Sequence, residues 1–230
     1  GAISNLSLHQ TILDAQTISK MASDGRYTPM RDNRFSVVDF DGSNDHIDCG
    51  VDVHDFSSGD FTISGWIFHD TANSAHAGIV GVRLNNGVSS DTEVQLYIKY
   101  DDEKLASWNG STNVLSSSAI PNKEWTHVAL IQSGSNKKFY INGVLDNTVS
   151  QGNGNQENSA TFKIGWTGAT GEQFLGDISS ISVYNVEKSA EEIYALYSKG
   201  ITYNESSESG LVGLWRMGDD TSKAYPTIAD

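Results

Sequence analysis

Residues 139–145, with the sequence FYINGVL, decide the fold class. Asn142 and Gly143 readily adopt the two positive φ angles of a type I′ turn, so the segment is predicted to be a tight β-hairpin. Strand-like alternation of apolar and polar residues extends from it through most of the chain. The segments with this pattern are Arg34–Phe40, Asp60–Phe68, Ala77–Leu84, Glu93–Tyr100, Lys104–Trp108, Trp125–Gln132, Lys138–Leu145, Thr161–Trp166 and Phe174–Tyr184.

Only two segments have a helical pattern. In Ser189–Tyr197 the apolar residues fall on one helical face, Ser189 is a suitable N-cap, and Gly200 is a natural stop. Asp14–Ala22 has a similar pattern. Many strands and so little helix predict an all-β fold, a two-sheet antiparallel sandwich with one or two short helices.

The composition excludes several classes of protein. The chain has 230 residues with 15 Lys and Arg against 29 Asp and Glu, a net charge of −14. Binding to nucleic acid needs a basic surface, and no apolar run approaches the roughly 18 residues of a membrane span, so neither partner is expected. The single cysteine, Cys49, excludes an internal disulfide framework. The chain opens on Gly1 without a signal peptide, so we expect a piece of a longer protein.

The two helical segments belong to an internal repeat. The same spacing of about 175 residues separates Gly1 from Gly176, Ala15 from Ala190 and Gly25 from Gly200, and so long a period is typical of tandem domains. We therefore predict the end of a preceding repeat at 1–33, a complete domain at 34–205 and the start of a following repeat at 206–230. The terminal strands Gly1–Leu8 and Leu211–Met217 are predicted to pair with neighbouring units.

Several motifs, taken in order, resemble those of laminin-G-like domains in the concanavalin A-like lectin and glucanase superfamily. They are FDGSNDHIDCG at 40–50, FTISGWI at 61–67, WTHVA at 125–129, FYING at 139–143, the segment 174–193 and GLVGLWRMGD at 210–219. The resemblance implies a jelly roll of two antiparallel sheets. More narrowly, Leu13–Ile18 and Thr28–Gly42 resemble segments of structural proteins from marine phages, which implies a virion or extracellular location.

Catalytic motifs are missing where related glucanases would carry them. Glucanases of this fold place acidic residues at alternate strand positions, whereas Glu93–Asp102 starts with one acid and continues with apolar residues and lysine. No G-x-S-x-G motif marks a nucleophile. We predict that His127 belongs to the fold, and that His69 and His76 are surface residues, because their spacing fits no zinc pattern. The protein is therefore predicted not to be an enzyme.

Calcium is the candidate cofactor. The turn after the first strand offers hard oxygen ligands, which calcium prefers. The predicted metal ligands are Asp41, Asn44, Asp45, Asp48 and Asp177. The family's usual aspartate in the closing strand is replaced here by Ser179. The alternative is a turn whose side chains satisfy their own backbone.

Carbohydrate binding would use aromatic side chains near turns together with amide groups. The predicted ligand-binding residues are Trp108, Asn109, Trp166 and Tyr100, with Tyr97 beside them. The alternative for the two tryptophans is packing at the edge of the core. Trp66 and Trp125 lie in mid-strand, so we predict them to be core residues.

These observations favour a non-catalytic interaction or structural module of a virion or extracellular protein, used for adhesion or assembly. Its expected partners are neighbouring copies of the domain or other structural subunits. The first alternative is a calcium-dependent lectin that binds glycans, and the second is a glycoside hydrolase.

Overall fold

The computed structural model describes residues 36–51, 53–70, 75–84, 88, 90–155 and 159–217. The predicted helix Asp14–Ala22 and the predicted strand Gly1–Leu8 lie outside these residues. The described strands are β1 (Val38–Asp41), β2 (Ile47–Asp48), β3 (Phe61–His69), β4 (Ala77–Arg83), β5 (Thr92–Ile98), β6 (Lys104–Trp108), β7 (Asn113–Ala119), β8 (Trp125–Ser133), β9 (Asn136–Ile141), β10 (Val144–Ser150), β11 (Phe162–Ile164), β12 (Leu175–Tyr184) and β13 (Leu211–Trp215). Helix α1 is Ala190–Lys199.

The strands form two antiparallel sheets, which confirms the predicted sandwich. The seven-stranded sheet has the order β1-β12-β3-β8-β9-β10, with β13 also paired to β12, and the six-stranded sheet has the order β2-β11-β4-β5-β6-β7. The core lies between them, because alternate side chains of each strand point inward. No helix in the described part of the chain is long and apolar enough to cross a membrane.

The central strand β3 corrects one prediction. Ile63, Gly65 and Ile67 face the core, so the alternation turns Trp66 to the outer surface of the seven-stranded sheet. Trp66 stacks on Tyr197 of α1, with ring centroids 5.8 Å apart. Trp125 lies beside Phe68 on the same outer surface. The sequence had predicted both tryptophans to be core residues, and this prediction is wrong for both.

The predicted hairpin and the predicted helix are both confirmed. Asn142 and Gly143 have φ angles of 49° and 76° and join β9 to β10. Ser189 caps α1 through a reciprocal pair of hydrogen bonds with Glu192, and Gly200 ends the helix. Helix α1 covers part of the outer surface of the seven-stranded sheet, where it completes a second, smaller apolar cluster. Its buried members are Ala129, Ile131, Tyr140, Tyr184, Ile193 and Leu196.

Strand β13 has a different partner from the predicted one. The sequence predicted that Leu211–Met217 would pair with a neighbouring unit, but β13 pairs with β12 of the same chain. Trp215 is buried against Phe162 of the opposite sheet, so the strand is part of this sandwich.

Candidate functional site

A row of cross-strand partners, one residue from each strand, lies on the outer surface of the six-stranded sheet. Val94, Leu96 and Ile98 of β5 point into the core, so Gln95 and Tyr97 point outward. The pairing of neighbouring strands extends this outward position across the sheet. The row is Asp48, Lys163, Gly81, Gln95, Trp108 and Asn113.

One half of this surface carries several aromatic side chains, some of them in contact with each other. The ring of His76 lies 4.7 Å from that of Tyr97 and 5.4 Å from that of Tyr100. The Asn113 side chain lies near the Tyr97 hydroxyl, and Asn113 is the cross-strand partner of Trp108. These five residues, Tyr100, His76, Tyr97, Asn113 and Trp108, are called the aromatic band.

The members of the aromatic band differ in exposure. Tyr97 is only 4% exposed, whereas Tyr100 is 48% exposed, Asn113 is exposed and Trp108 is half-buried. Burial, with the carboxylate of Glu172 nearby, raises the pKa of the Tyr97 hydroxyl above its usual value, so this group remains protonated. The band therefore offers accessible rings at Tyr100, Trp108 and His76, a primary amide at Asn113 and a buried tyrosine, Tyr97.

A loop at residues 166–173, called the bridge, crosses the sheet beside the band. It follows β11 and passes over β4, where the carbonyl oxygen of Thr167 accepts a hydrogen bond from the Gln95 side chain at 2.8 Å. Gly81 lies beneath it, and a Cβ atom there would be only 2.3 Å from that same oxygen. The close approach of loop and sheet therefore depends on glycine in β4.

The structure separates the four predicted ligand-binding residues into two pairs. Trp108 and Tyr100 belong to the aromatic band. Asn109 instead fixes its own loop, since its amide nitrogen donates to the carbonyl of Gly152 and its oxygen accepts from the backbone of Thr112.

Trp166 lies on the bridge and packs against neighbours there. Its indole N–H donates to the carbonyl of Ala169 at 2.6 Å, and its ring lies 4.9 Å from that of His46 and 5.8 Å from the Lys163 amine. Asn113, which the sequence had not predicted, belongs to the band, whereas Asn109 and Trp166 do not. The sequence alone gave no signal for it, because its place depends on strand register.

Comparison with known proteins identifies the family. A model of the concanavalin A-like lectin/glucanases superfamily matches residues 41–194. The chain belongs to this superfamily. No curated protein sequence matches it.

Several solved structures share the fold of this chain at low sequence identity. A putative carbohydrate-binding protein from Bacteroides ovatus is 21% identical with a TM-score of 0.64, over 84% of this chain and 55% of that protein. A heptameric pentraxin from Limulus polyphemus is 19% identical with a TM-score of 0.56, over 75% of this chain and 87% of the pentraxin. The CBM40 of a Ruminococcus gnavus sialidase, bound to α2,3-sialyllactose, is 18% identical with a TM-score of 0.53, over 70% and 97%.

The five predicted calcium ligands of this superfamily domain do not converge. Asp41 and Asp45 lie in one turn, where the Asp41 carboxylate accepts a hydrogen bond from the backbone of Ser43 and the Asp45 carboxylate accepts one from the backbone of Asp41. Asp48 lies in the six-stranded sheet and Asp177 in the seven-stranded sheet.

Asn44, in the same turn, and Ser179, in the closing strand, also bear on the calcium prediction. Asn44 is exposed, and its carbonyl oxygen lies 3.3 Å from the ring of His46. Ser179, at the family's usual aspartate position, is buried and donates to the carbonyl of Ser36. Among the residues that the structure describes, no group of three or more His, Cys, Asp or Glu is placed to hold a metal ion. The residues described thus do not fit a carboxylate-rich site, and calcium binding stays a prediction.

The histidines have structural contacts. His69 is fully buried, which corrects the prediction of a surface residue, and its Nε2 lies 2.7 Å from the Glu103 carboxylate. His127 is buried as predicted, and its Nε2 lies 2.9 Å from the Ser64 hydroxyl. Burial lowers the pKa of His127 to about 4, so the ring is neutral at pH 7. This Ser–His pair lies under the rings of Trp66 and Tyr197, where a substrate has no access.

Proposed function

We propose that this domain is a non-catalytic carbohydrate-binding module and that the aromatic band is its binding surface. The observation that carries the proposal is the placement of Trp108, Tyr100 and Asn113 on one outer surface of the six-stranded sheet. A sugar ring has an apolar face that packs on an aromatic ring, and hydroxyl groups that pair with an amide. A surface with accessible aromatic rings and a side-chain amide suits such a ligand.

The family and its structural neighbours support binding as the general role. The Bacteroides ovatus protein is described as a putative carbohydrate-binding protein, and the Ruminococcus gnavus domain was solved with a bound sialylated sugar. Both share the fold of this chain at about one-fifth identity, so the specific proposal rests on the residues of the aromatic band and not on these neighbours.

The chemistry of the band favours binding without catalysis. Glycoside hydrolysis uses two carboxyl groups about 5–10 Å apart on either side of the scissile bond. The carboxylate beside Tyr97 is that of Glu172, and it already accepts a hydrogen bond from the Thr167 hydroxyl at 2.6 Å. The aromatic band itself contains no carboxyl group, since its members are Tyr100, His76, Tyr97, Asn113 and Trp108.

A glycan array tests the proposal directly. Wild-type protein, Trp108→Ala and Tyr194→Ala are compared; Tyr194 is a matched control because it is 56% exposed on α1, outside the aromatic band. We expect Trp108→Ala to weaken binding at least about tenfold, equivalent to about 1.4 kcal/mol, and Tyr194→Ala to leave it unchanged. Equal binding by wild type and Trp108→Ala, with both correctly folded, would refute the assignment.

We further propose that the module serves adhesion or assembly in a virion or extracellular protein, together with neighbouring copies of itself or other structural subunits. Support comes from the sequence repeat and from the resemblance of its early segments to phage structural proteins. If sedimentation analysis shows a single monomeric species at all concentrations, the proposed role of neighbouring copies is wrong. Calorimetry with Ca²⁺ on chelator-treated protein decides whether the module also needs calcium.

A further inference from the structure

The guanidinium of Arg83 has no hydrogen-bond partner among the residues that the structure describes. Arg83 ends β4 and is half-buried, and its Nε is enclosed by the protein without accepting atoms around it. The two terminal nitrogens are not enclosed in this way, so they reach solvent. An enclosed donor without a partner costs free energy, and an apolar side chain here would avoid that cost. Stability therefore does not explain an arginine at this position.

Other cations of the described chain are neutralised by carboxylates. The net charge of −14 means that carboxylates are in excess. The lysines that form ion pairs with them are Lys99, Lys123, Lys138, Lys188 and Lys199. Arg83 and Lys163 form no ion pair within the part of the chain that the structure describes. These two residues are neighbours in the fold.

Lys163 brings a second positive charge to the end of β4. Its amine donates to the carbonyl oxygens of Arg83 and Thr161 at 3.3 and 3.2 Å, which uses two of its three N–H groups. The cross-strand partner of Lys163 is Gly81, two residues before Arg83. Two cations on adjacent strands at this spacing raise the positive potential at one point of the sheet.

The bridge places an aromatic ring beside these cations. A Cβ atom at Gly168 of the bridge would lie 3.2 Å from the Cβ of Arg83, so Arg83 points to the outer side of the sheet, which the bridge crosses. Trp166 is half-buried, and its ring centre lies 5.8 Å from the Lys163 amine. The exposed imidazole of His46 lies 4.9 Å from the same ring. Arg83, Lys163, Trp166 and His46 are called the basic cluster.

A carboxylate lies beside the basic cluster, on the side away from β4. Asp48 of β2 is the second cross-strand partner of Lys163. Its carboxylate accepts hydrogen bonds from the Gly50 backbone at 2.9 Å and from the Thr161 hydroxyl at 3.0 Å. Asp48 therefore compensates part of the charge of Lys163, and the charge of Arg83 remains uncompensated among the described residues.

We propose that the basic cluster binds the carboxylate or sulfate group of an acidic sugar, with Arg83 as the residue that contacts the anion. A guanidinium binds such oxyanions through charge-assisted hydrogen bonds, often two in parallel. The Trp166 ring would pack against the apolar face of the sugar. The choice of a sugar as the carrier of the anion rests on the proposed function, but the basic cluster shares no residue with the aromatic band.

Calorimetry on the full chain tests the inference by comparing acidic sugars with neutral counterparts. The acidic probes are galacturonate, glucuronate, N-acetylneuraminate and glucose 6-sulfate. The neutral probes are the methyl esters of the first three and glucose, and sodium acetate and sodium sulfate are the free anions. We expect an acidic probe to bind at least about tenfold more tightly than its neutral counterpart. Arg83→Gln should abolish this difference, and Lys123→Gln, the same change of charge at an exposed position, should keep it.

The other outcomes separate this inference from the proposed function. If every acidic probe binds no more tightly than its neutral counterpart, or if Arg83→Gln keeps the difference, the inference is wrong, and glycan binding by the aromatic band still stands. If the free anions bind as tightly as the acidic sugars, the assignment to a sugar is wrong. If wild type binds none of these probes and no array glycan, both proposals are wrong.

A stability measurement tests the premise that Arg83 does not serve the fold. Arg83→Gln removes no hydrogen bond or ion pair between described residues, so we expect the midpoint of thermal unfolding to stay at or above that of the wild type. A midpoint clearly below that of Lys123→Gln would show that Arg83 stabilises the fold, and the inference would lose its basis.

Discussion

Lys137 has a normally charged side chain, yet it lies in the core. It is completely buried on β9, its amine donates to the Gln132 side chain at 2.8 Å, and it lies 5.3 Å from the centre of the Phe61 ring. No carboxylate compensates its charge among these contacts, so burial lowers the pKa of Lys137 from 10.5 to about 7.

This pKa predicts a pH dependence of stability. Between about pH 7 and pH 10.5 the unfolded chain binds a proton at Lys137 that the folded chain does not, so the free energy of unfolding rises with pH in this window. We expect Lys137→Met to remove that rise, up to about 1.4 kcal/mol per pH unit, in urea denaturation at pH 7, 8, 9 and 10. Lys123→Met, a change at a surface residue, is the control and should keep the wild-type slope. An unchanged slope in Lys137→Met would contradict the prediction.

Individual residues show which information sequence reasoning lacks. Proximity to turns led us to predict Trp108 and Tyr100 as ligand-binding residues, and that role stays a prediction. The same argument also selected Asn109 and Trp166, whose polar groups are used inside their own loops. The difference depends on tertiary hydrogen bonds that join residues distant in sequence, such as the one from Asn109 to Gly152.

Among the elements, those with strong local signals were predictable. The β9–β10 hairpin follows from the Asn-Gly pair, and α1 follows from its caps and period. Strand β7 was missed because its sequence, NVLSSSA, contains a serine run with weak strand propensity. Strand β2 was missed because it has only two residues. Neighbouring strands impose extended structure on both, and a single sequence does not show those neighbours.

The cap of helix α1 gives a prediction at this scale. The Ser189 hydroxyl accepts a hydrogen bond from the Glu192 backbone, and the Glu192 carboxylate accepts one from the Ser189 backbone. Ser189→Ala removes the first bond, so we expect it to lower the free energy of unfolding by about 1 kcal/mol in urea denaturation. Ser198→Ala, at an exposed position on the same helix, should change it by less than about 0.5 kcal/mol. Similar losses from both variants would show that the cap adds nothing.

Within the residues that the structure describes, the sheet edges are closed by side chains and by strand β13. Strands β7 and β10 end the two sheets, and they are joined where the Asp146 carboxylate accepts from the backbone of Ser117 and Ser118 and where the Asn147 amide donates to the carbonyl of Leu115. These contacts satisfy edge groups that would otherwise be open to another chain.

Strand β13 closes the other side and links the sheets. Trp215 stacks on Phe162 with ring centroids 4.9 Å apart and an angle of 11°. We expect Trp215→Ala to lower the free energy of unfolding by about 3–5 kcal/mol, because it leaves a cavity between the sheets. Val212→Ala is the control, since Val212 is 42% exposed on the same strand, and its effect should be small. The prediction fails if the urea midpoints of the two variants coincide.

The positions of β1 and β13 have a topological consequence. Both pair with the same edge of β12: β13 ends opposite Ile181, and β1 begins opposite Ile178. The last described strand therefore stops where the first one starts, and the path of the chain around the sandwich is a nearly closed circuit. A circular permutant, with a short linker from β13 to β1 and new termini at the Asn142–Gly143 turn, would keep every strand beside its present neighbours. The arrangement thus depends on cyclic order and not on which strand comes first.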